Sequence, residues 1–245
     1  MDTTKKQPFL NHLAELRKRL FIVFLVVVTA TGVGYFFVQH LIGDVIGLAG
    51  GKIDFIYISP PELFLAYVKL SLVAGITVSF PIIAYQIYAF LRPGLEKRER
   101  RYVLVSILGG SFFFAAGVVF SYIVVLPMVL SFFINMRMES IDPVMSVGSY
   151  IGFISTSLLS FGLVFEMPML VLLLSRFGLV TSAFLQKNTK YILFGIVVVA
   201  AIITPPDVIS QVLLVGPMLV LFEFSVFLAK LTERSKRKRM AQSSS

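Results

Sequence analysis

Long apolar runs alternate with short charged pieces along this chain, and the runs are too long and too uniformly apolar to be soluble core helices. Six of them, Leu20–Leu41, Leu63–Leu91, Tyr102–Ile134, Tyr150–Leu174, Tyr191–Ile203 and Gln211–Ala229, predict membrane-crossing helices. A hydrocarbon core of ~30 Å needs about 20 helical residues per crossing. The second and third runs exceed that length and are expected to tilt or to project beyond the lipid. The fifth has 13 residues, about 20 Å at a rise of ~1.5 Å per residue. The last two runs therefore predict a shallow hairpin turning at Thr204-Pro205-Pro206-Asp207, with the bilayer thinned beside it. Pro81, Pro127, Pro168 and Pro217 fall inside the runs, and each removes a backbone donor and bends its helix. The expected fold is an all-α integral membrane bundle of six bent helices with a concave side, although proline is also simply commoner in membrane helices than in soluble ones.

Charge sets the direction of the crossings. Nineteen of the 22 Lys and Arg lie in the N-terminal segment, the 92–101 connection, the 175–190 connection and the tail. The connections in between hold only Lys52 and Arg137, and Lys69 lies inside the second run. Basic connections stay on the cytoplasmic side, so both termini are expected there, which requires an even number of crossings. Three parts follow: a cytoplasmic amphipathic segment over 1–19, a six-helix transmembrane domain over 20–229, and a basic cytoplasmic tail over 230–245. Residues 9–19 carry leucines at near-helical spacing and predict a surface helix running into the first span. The first run is longer than a signal-peptide core and no A-x-A-like site follows, so it is expected to remain as an anchor. The tail cations read as a topology signal and an anchor to anionic lipid, not as a nucleic-acid site.

Composition removes whole classes of function. With 57% hydrophobic residues, 14% charged residues and a mean hydropathy of +0.90, neither a soluble domain nor a disordered chain fits. There are no cysteines and only two histidines, His12 and His40, so thiolate chemistry and multi-histidine metal sites are excluded and no cofactor or metal is expected. No phosphate-binding loop, dinucleotide fingerprint, zinc-protease or nucleophile-elbow motif is present. An enzyme is not expected.

The charged residues that stand in unusual places are the candidates for function. Glu166 sits inside the fourth run, where an ionisable group costs ~2.5 kcal/mol or more to insert and normally faces a cavity or a partner; a snorkelling structural carboxylate is the plainer reading. Lys69 and Glu223 are the other charges within runs, the first placed to snorkel outward and the second about two turns from Lys230. Glu15 stands four residues before Arg19, a helical ion-pair spacing. Glu96 and Glu99 lie among Lys97, Arg98, Arg100 and Arg101. A carboxylate in such a place either pairs with its neighbours or receives an incoming guanidinium through bidentate bonds.

Several separated motifs resemble one family in order along the chain. They are Phe9-x-x-His12-Leu13-x-Glu15-Leu16-Arg17-x-Arg19; Pro81-x-x-x-Tyr85-Gln86-x-x-x-Phe90-x-x-Pro93-x-Leu95-x-x-x-Glu99-Arg100; Phe161-Gly162 with Phe165-Glu166-x-Pro168; and Thr204-Pro205-Pro206-Asp207-x-x-x-Gln211. Together they resemble the TatC family, the polytopic receptor subunit of the twin-arginine protein translocase. The resemblance implies a receptor that binds the Arg-Arg signal peptides of folded cargo at the cytoplasmic face and recruits single-span TatA and TatB partners. It implies an oligomeric complex in the cytoplasmic membrane of a prokaryote, driven by the proton-motive force. Glu15 and Glu99 match the carboxylates that recognise the arginines, and Phe90, Pro93 and Leu95 belong to the supporting loop. Glu166 matches the membrane-embedded glutamate of the concave face. Thr204 and Gln211 match polar contacts to partner helices, and Asp207 is expected to cap the outer turn. The alternative reading of the same residues is a proton-coupled carrier of small solutes that uses Glu166 as its proton site.

Overall fold

The computed structural model describes residues 3–135, 144–203 and 208–243. In chain order the elements are α1 (Thr3–Phe36), α2 (Val38–Gly47), β1 (Asp54–Ile56), α3 (Pro60–Leu91), a single 3-10 turn at Arg92–Gly94, α4 (Lys97–Phe120), α5 (Leu126–Asn135), β2 (Val144–Ser146), α6 (Val147–Val164), α7 (Met167–Phe177), α8 (Ser182–Lys187), α9 (Thr189–Ile203) and α10 (Val208–Ser243). A wide π-turn over Ser121–Val125 joins α4 to α5 without ending the helical path, and Pro127 follows as the second residue of α5, where it removes one backbone donor from the helix.

Five stretches among the described residues are long and apolar enough to cross a membrane: His12–Phe36, Pro60–Gly94, Glu99–Asn135, Val147–Phe177 and Val215–Arg234. A shorter apolar helix, Thr189–Val198, stands beside the last. The helical membrane fold expected from the apolar runs is thus the fold adopted. The short α9 lies against α10, and Gln211 Nε2 donates to the Val197 carbonyl at 3.3 Å across the pair. The expected turn at Thr204–Asp207 lies outside the described residues.

Residues 9–19 are helical and continuous with the first span, because α1 runs unbroken from Thr3 to Phe36. No Gly or Pro interrupts residues 9–31, so once a helix is nucleated it propagates straight into the span. The first apolar run does not continue as one helix to Leu41. It breaks at Phe37, whose N–H bonds to the Gly34 carbonyl at 3.1 Å, and α2 starts at Val38. Val38, Ile42 and Val45 form the buried stripe of α2 while Gln39, His40 and Asp44 stay exposed. That is the one-sided pattern of a helix lying on a core.

Helix α1 packs along α3, and the contact depends on small residues. A Cβ at Gly75 would lie 2.7 Å from Thr31 N and 2.9 Å from Thr31 Cα, closer than any real side chain sits to a backbone. The core has two centres. One gathers Val38, Ile42, Leu70, Leu126, Tyr150 and Ile154 at the end of the bundle opposite the basic connections. The other joins Val129, Phe161, Met218 and Phe222, where the α9–α10 hairpin meets α5 and α6.

The opposite end is tied by polar contacts between segments distant in sequence. Strands β1 and β2 pair in parallel, Asp54 with Val144 through Ile56 with Ser146. The Tyr150 hydroxyl donates to the Val45 carbonyl at 2.7 Å. Glu62, three residues after Ser59 in a capping box at the start of α3, accepts from the N–H groups of Ile58 at 2.7 Å and Gly148 at 2.7 Å and from the Ser146 hydroxyl. One carboxylate therefore closes the first turn of α3 and clasps the start of α6.

Candidate functional site

The basic end of the bundle carries a groove of about 590 Å³ lined by Glu15, Lys18 and Arg19 from α1, Tyr85, Gln86 and Ala89 from α3, and Arg92 from the following turn. Glu15 and Arg19 sit one helical turn apart on α1, so their side chains meet by geometry alone. Arg19 donates to Glu15 Oε1 from Nη2 at 2.5 Å and from Nε at 3.1 Å. Its third bond runs from Nη1 to Gln86 Oε1 at 3.1 Å, which fixes α1 against α3. The ion-pair spacing read from the sequence is realised, with Gln86 as an added acceptor.

Among the described residues, the neighbour of Glu15 Oε2 is His12 Nδ1 at 3.9 Å, beyond hydrogen-bond length. The His12 ring stacks on Phe90 with centroids 4.3 Å apart. Phe90 is thus a brace for the N-terminal part of the site. Pro93 lies in the 3-10 turn after α3, and the Leu95 carbonyl accepts from Arg100 Nε at 3.2 Å, which holds the connection against the first turn of α4.

Glu99 does not line the groove with Glu15. It is the third residue of α4, and its Oε2 accepts from the Glu96 backbone N–H at 2.9 Å, completing a capping box. That box satisfies helix-end donors that would otherwise be orphaned. The carboxylate is half-buried at the rim of the same end of the bundle.

Deeper in the bundle, Glu166 occupies a break in the fourth span. The helix stops at Val164 and restarts at Met167, with Pro168 in the first turn of α7. Proline cannot donate to the Val164 carbonyl, so a continuous helix would lack that bond. Glu166 lines a concave cavity of about 280 Å³ together with Phe80, Ala84, Val103, Ser106 and Gly110. A Cβ at Gly110 would lie 2.5 Å from Glu166 Oε2, so a larger residue here makes this carboxylate shift. Glu166 Oε1 and Ser106 Oγ are both buried without a hydrogen-bond partner among the described residues. The cavity is apolar apart from these two groups, which makes it a place where a polar atom would be bound strongly. Lys69 and Glu223 are exposed on the bundle and do not line it.

The sequence reading assigned no role to three participants. Gln86 stands in one of the motifs, but it lies 67 residues from Arg19 and nothing local marks it as that residue's acceptor. Ser106 lies seven residues after Glu99, which at helical spacing puts both on one face of α4. Glu62 carried a readable signal, since Ser59-x-x-Glu62 is a capping-box pattern.

A helical bundle whose described residues include five spans of membrane length, with a carboxylate-bearing groove at its basic end and a glutamate at membrane depth, defines a multi-pass membrane protein. Residues 11–217 match the family described as TatC, Sec-independent protein translocase protein (TatC). The chain is 36% identical over 236 residues to the Sec-independent protein translocase protein TatC of Desulforapulum autotrophicum, covering 95% of this chain and 87% of that protein. It is 34% identical over 235 residues to the TatC of Aquifex aeolicus, covering 94% and 98%. A crystal structure described as the twin arginine translocase receptor TatC matches with a TM-score of 0.80 at 33% identity, over 91% of this chain and 99% of that one.

The chain belongs to the TatC family. It is a multi-pass component of the Sec-independent protein translocase of the bacterial inner membrane, a transport protein and not an enzyme. The translocase works with other Tat subunits.

Proposed function

We propose that this protein is the receptor of the translocase, binding Arg-Arg signal peptides of folded cargo at the cytoplasmic face, with both termini on that side. The observation that carries the reading is Glu15, a groove-lining carboxylate that already binds a guanidinium through Oε1 at 2.5 Å. Arginine matches such a site better than lysine, because its planar fork reaches both carboxylate oxygens at once. Glu99 supplies the second acidic position at the rim, and Phe90, Pro93 and Leu95 hold the connection that carries it. Glu166 serves a later step at membrane depth, after arginine recognition. Thr204 and Gln211, at the shallow final hairpin, contact the single-span TatA and TatB partners recruited into an oligomeric complex, and transport draws on the proton-motive force.

The test is binding of an Arg-Arg signal peptide to the purified protein in nanodiscs, against a Lys-Lys version of the same peptide. A preference for Arg-Arg that disappears on Glu15→Ala and Glu99→Ala supports the receptor reading. Equal binding of both peptides by folded protein overturns it and leaves proton flux dependent on Glu166 as the alternative activity to measure.

A further inference from the structure

The groove at the basic end holds one carboxylate, Glu15, among three cations, Lys18, Arg19 and Arg92. With Arg19 bonded to Glu15 twice on one oxygen, the charge of that carboxylate is already neutralised. A further cation entering the groove meets net positive charge, so addition to the resident pair is opposed. Exchange brings in the same charge but offsets it with two charge-assisted bonds to Glu15, while Arg19 stays held by Gln86 Oε1, a neutral acceptor on the neighbouring helix.

We propose that Arg19 is a resident guanidinium that fills the Glu15 subsite in the empty receptor and is passed to Gln86 when a signal arginine arrives, so that Arg19 and Gln86 set the preference for arginine over lysine. This rests on the receptor reading and deepens it.

The exchange follows from the geometry. Glu15 Oε2 accepts no hydrogen bond from His12, whose Nδ1 is 3.9 Å away, so an incoming guanidinium engages Oε2 first and then takes Oε1 with its second N–H. Arg19 gives up its two bonds to Oε1 and turns a second N–H to the Gln86 carbonyl oxygen, which has two lone pairs, so Gln86 holds it more strongly after the exchange than before. A lysine ammonium is a point donor that does not span both oxygens. It engages Oε2 and leaves Arg19 in place, close to its own charge. Arg19 and Gln86 are specificity-determining residues on this account, and neither needs to touch the peptide.

The experiment compares Arg-Arg and Lys-Lys signal peptides on the full chain in nanodiscs, by their dissociation constants. Arg19→Gln removes the competitor: Arg-Arg binding tightens by up to about fivefold, the range of a half-exposed ion pair. Lys-Lys binding tightens more, so the ratio between the two narrows. Gln86→Leu removes the acceptor for the displaced guanidinium, and Arg-Arg binding weakens by about the same factor. Weaker Arg-Arg binding in folded Arg19→Gln, or unchanged binding in Gln86→Leu, overturns the exchange. If Arg19→Gln does not fold, Gln86→Leu decides alone, since it alters a neutral side chain. Glu15→Gln separates the two claims. Full Arg-Arg affinity in that variant refutes the receptor reading itself, whereas loss of affinity there with a failed Arg19 or Gln86 outcome refutes only the exchange.

Discussion

The imidazole of His12 lies face to face with the ring of Phe90, centroids 4.3 Å apart and planes 20° from parallel. The pair joins the first turns of the α1 span to the last turn of α3, and it places His12 Nδ1 beside Glu15 Oε2 at 3.9 Å. A stacked aromatic pair contributes ~0.5–1.5 kcal/mol beyond its buried area. That is enough to orient one carboxylate and too little to hold two helices together.

His12→Ala is therefore expected to weaken Arg-Arg peptide binding by a few-fold while leaving the protein folded. His12→Phe keeps the stack and retains affinity. Dissociation constants for the two variants decide the matter. Equal losses in both would mean that the imidazole nitrogens and not the ring carry the effect.

Glu99 has two separable roles, one as a helix cap and one as an acidic group. Glu99→Gln keeps an oxygen for the Glu96 N–H, so thermal stability in detergent is expected to hold while peptide binding falls. Glu99→Ala loses the cap as well, which costs about 1 kcal/mol, and its melting temperature drops. Unchanged peptide binding by Glu99→Gln would confine this residue to its capping role.

At the other end of the bundle, Glu62 accepts from Ile58, Ser146 and Gly148. Replacing it with Ala leaves the Gly148 N–H and the Ser146 hydroxyl without this partner. A loss of about 2 kcal/mol is expected, read as a lower unfolding midpoint in detergent. Ser146→Ala removes only one donor and should cost less than half as much. Peptide binding at the basic end is expected to be normal in both.

Gly110→Val inserts atoms where Glu166 Oε2 stands, with the first of them 2.5 Å away. The carboxylate is pushed out of the cavity. Signal-peptide binding should persist in this variant while cargo export in cells stops, as in Glu166→Ala. Export at the normal rate would show that the position of Glu166 is immaterial to transport.

Much of this was legible in the sequence, and the limits have physical causes. The spans are readable because lipid demands long apolar runs, and the break at Glu166 follows from Pro168 two residues later. The Glu15–Arg19 pair follows from i,i+4 spacing on a helix. The turn at Phe37 was not readable, because the apolar residues of α1 pass into those of α2 without a Gly or Pro at the junction itself. The three-residue strands β1 and β2 are too short to show an alternating pattern, and their partners lie about ninety residues apart in the chain. Contacts between distant segments, Arg19 with Gln86 and Glu62 with Gly148, depend on how the helices pack, which no local pattern encodes. The Glu99 cap was hidden by the cations around it, which drew the eye to charge and away from its place in the first turn of α4.

The parallel pairing of β1 with β2 also bears on biogenesis. Residues 54–56 leave the ribosome well before residues 144–146, and the pairing, the Glu62 clasp and the Tyr150 bond to Val45 all wait for the later segment. During synthesis, α1 to α3 must reside in the bilayer with that end unfastened until α4 and α5 have been threaded and α6 has begun. A nascent chain stalled before residues 144–150 have cleared the exit tunnel would therefore present an unfastened α2 to membrane quality-control proteases, while one stalled after they have reached the membrane would already be locked.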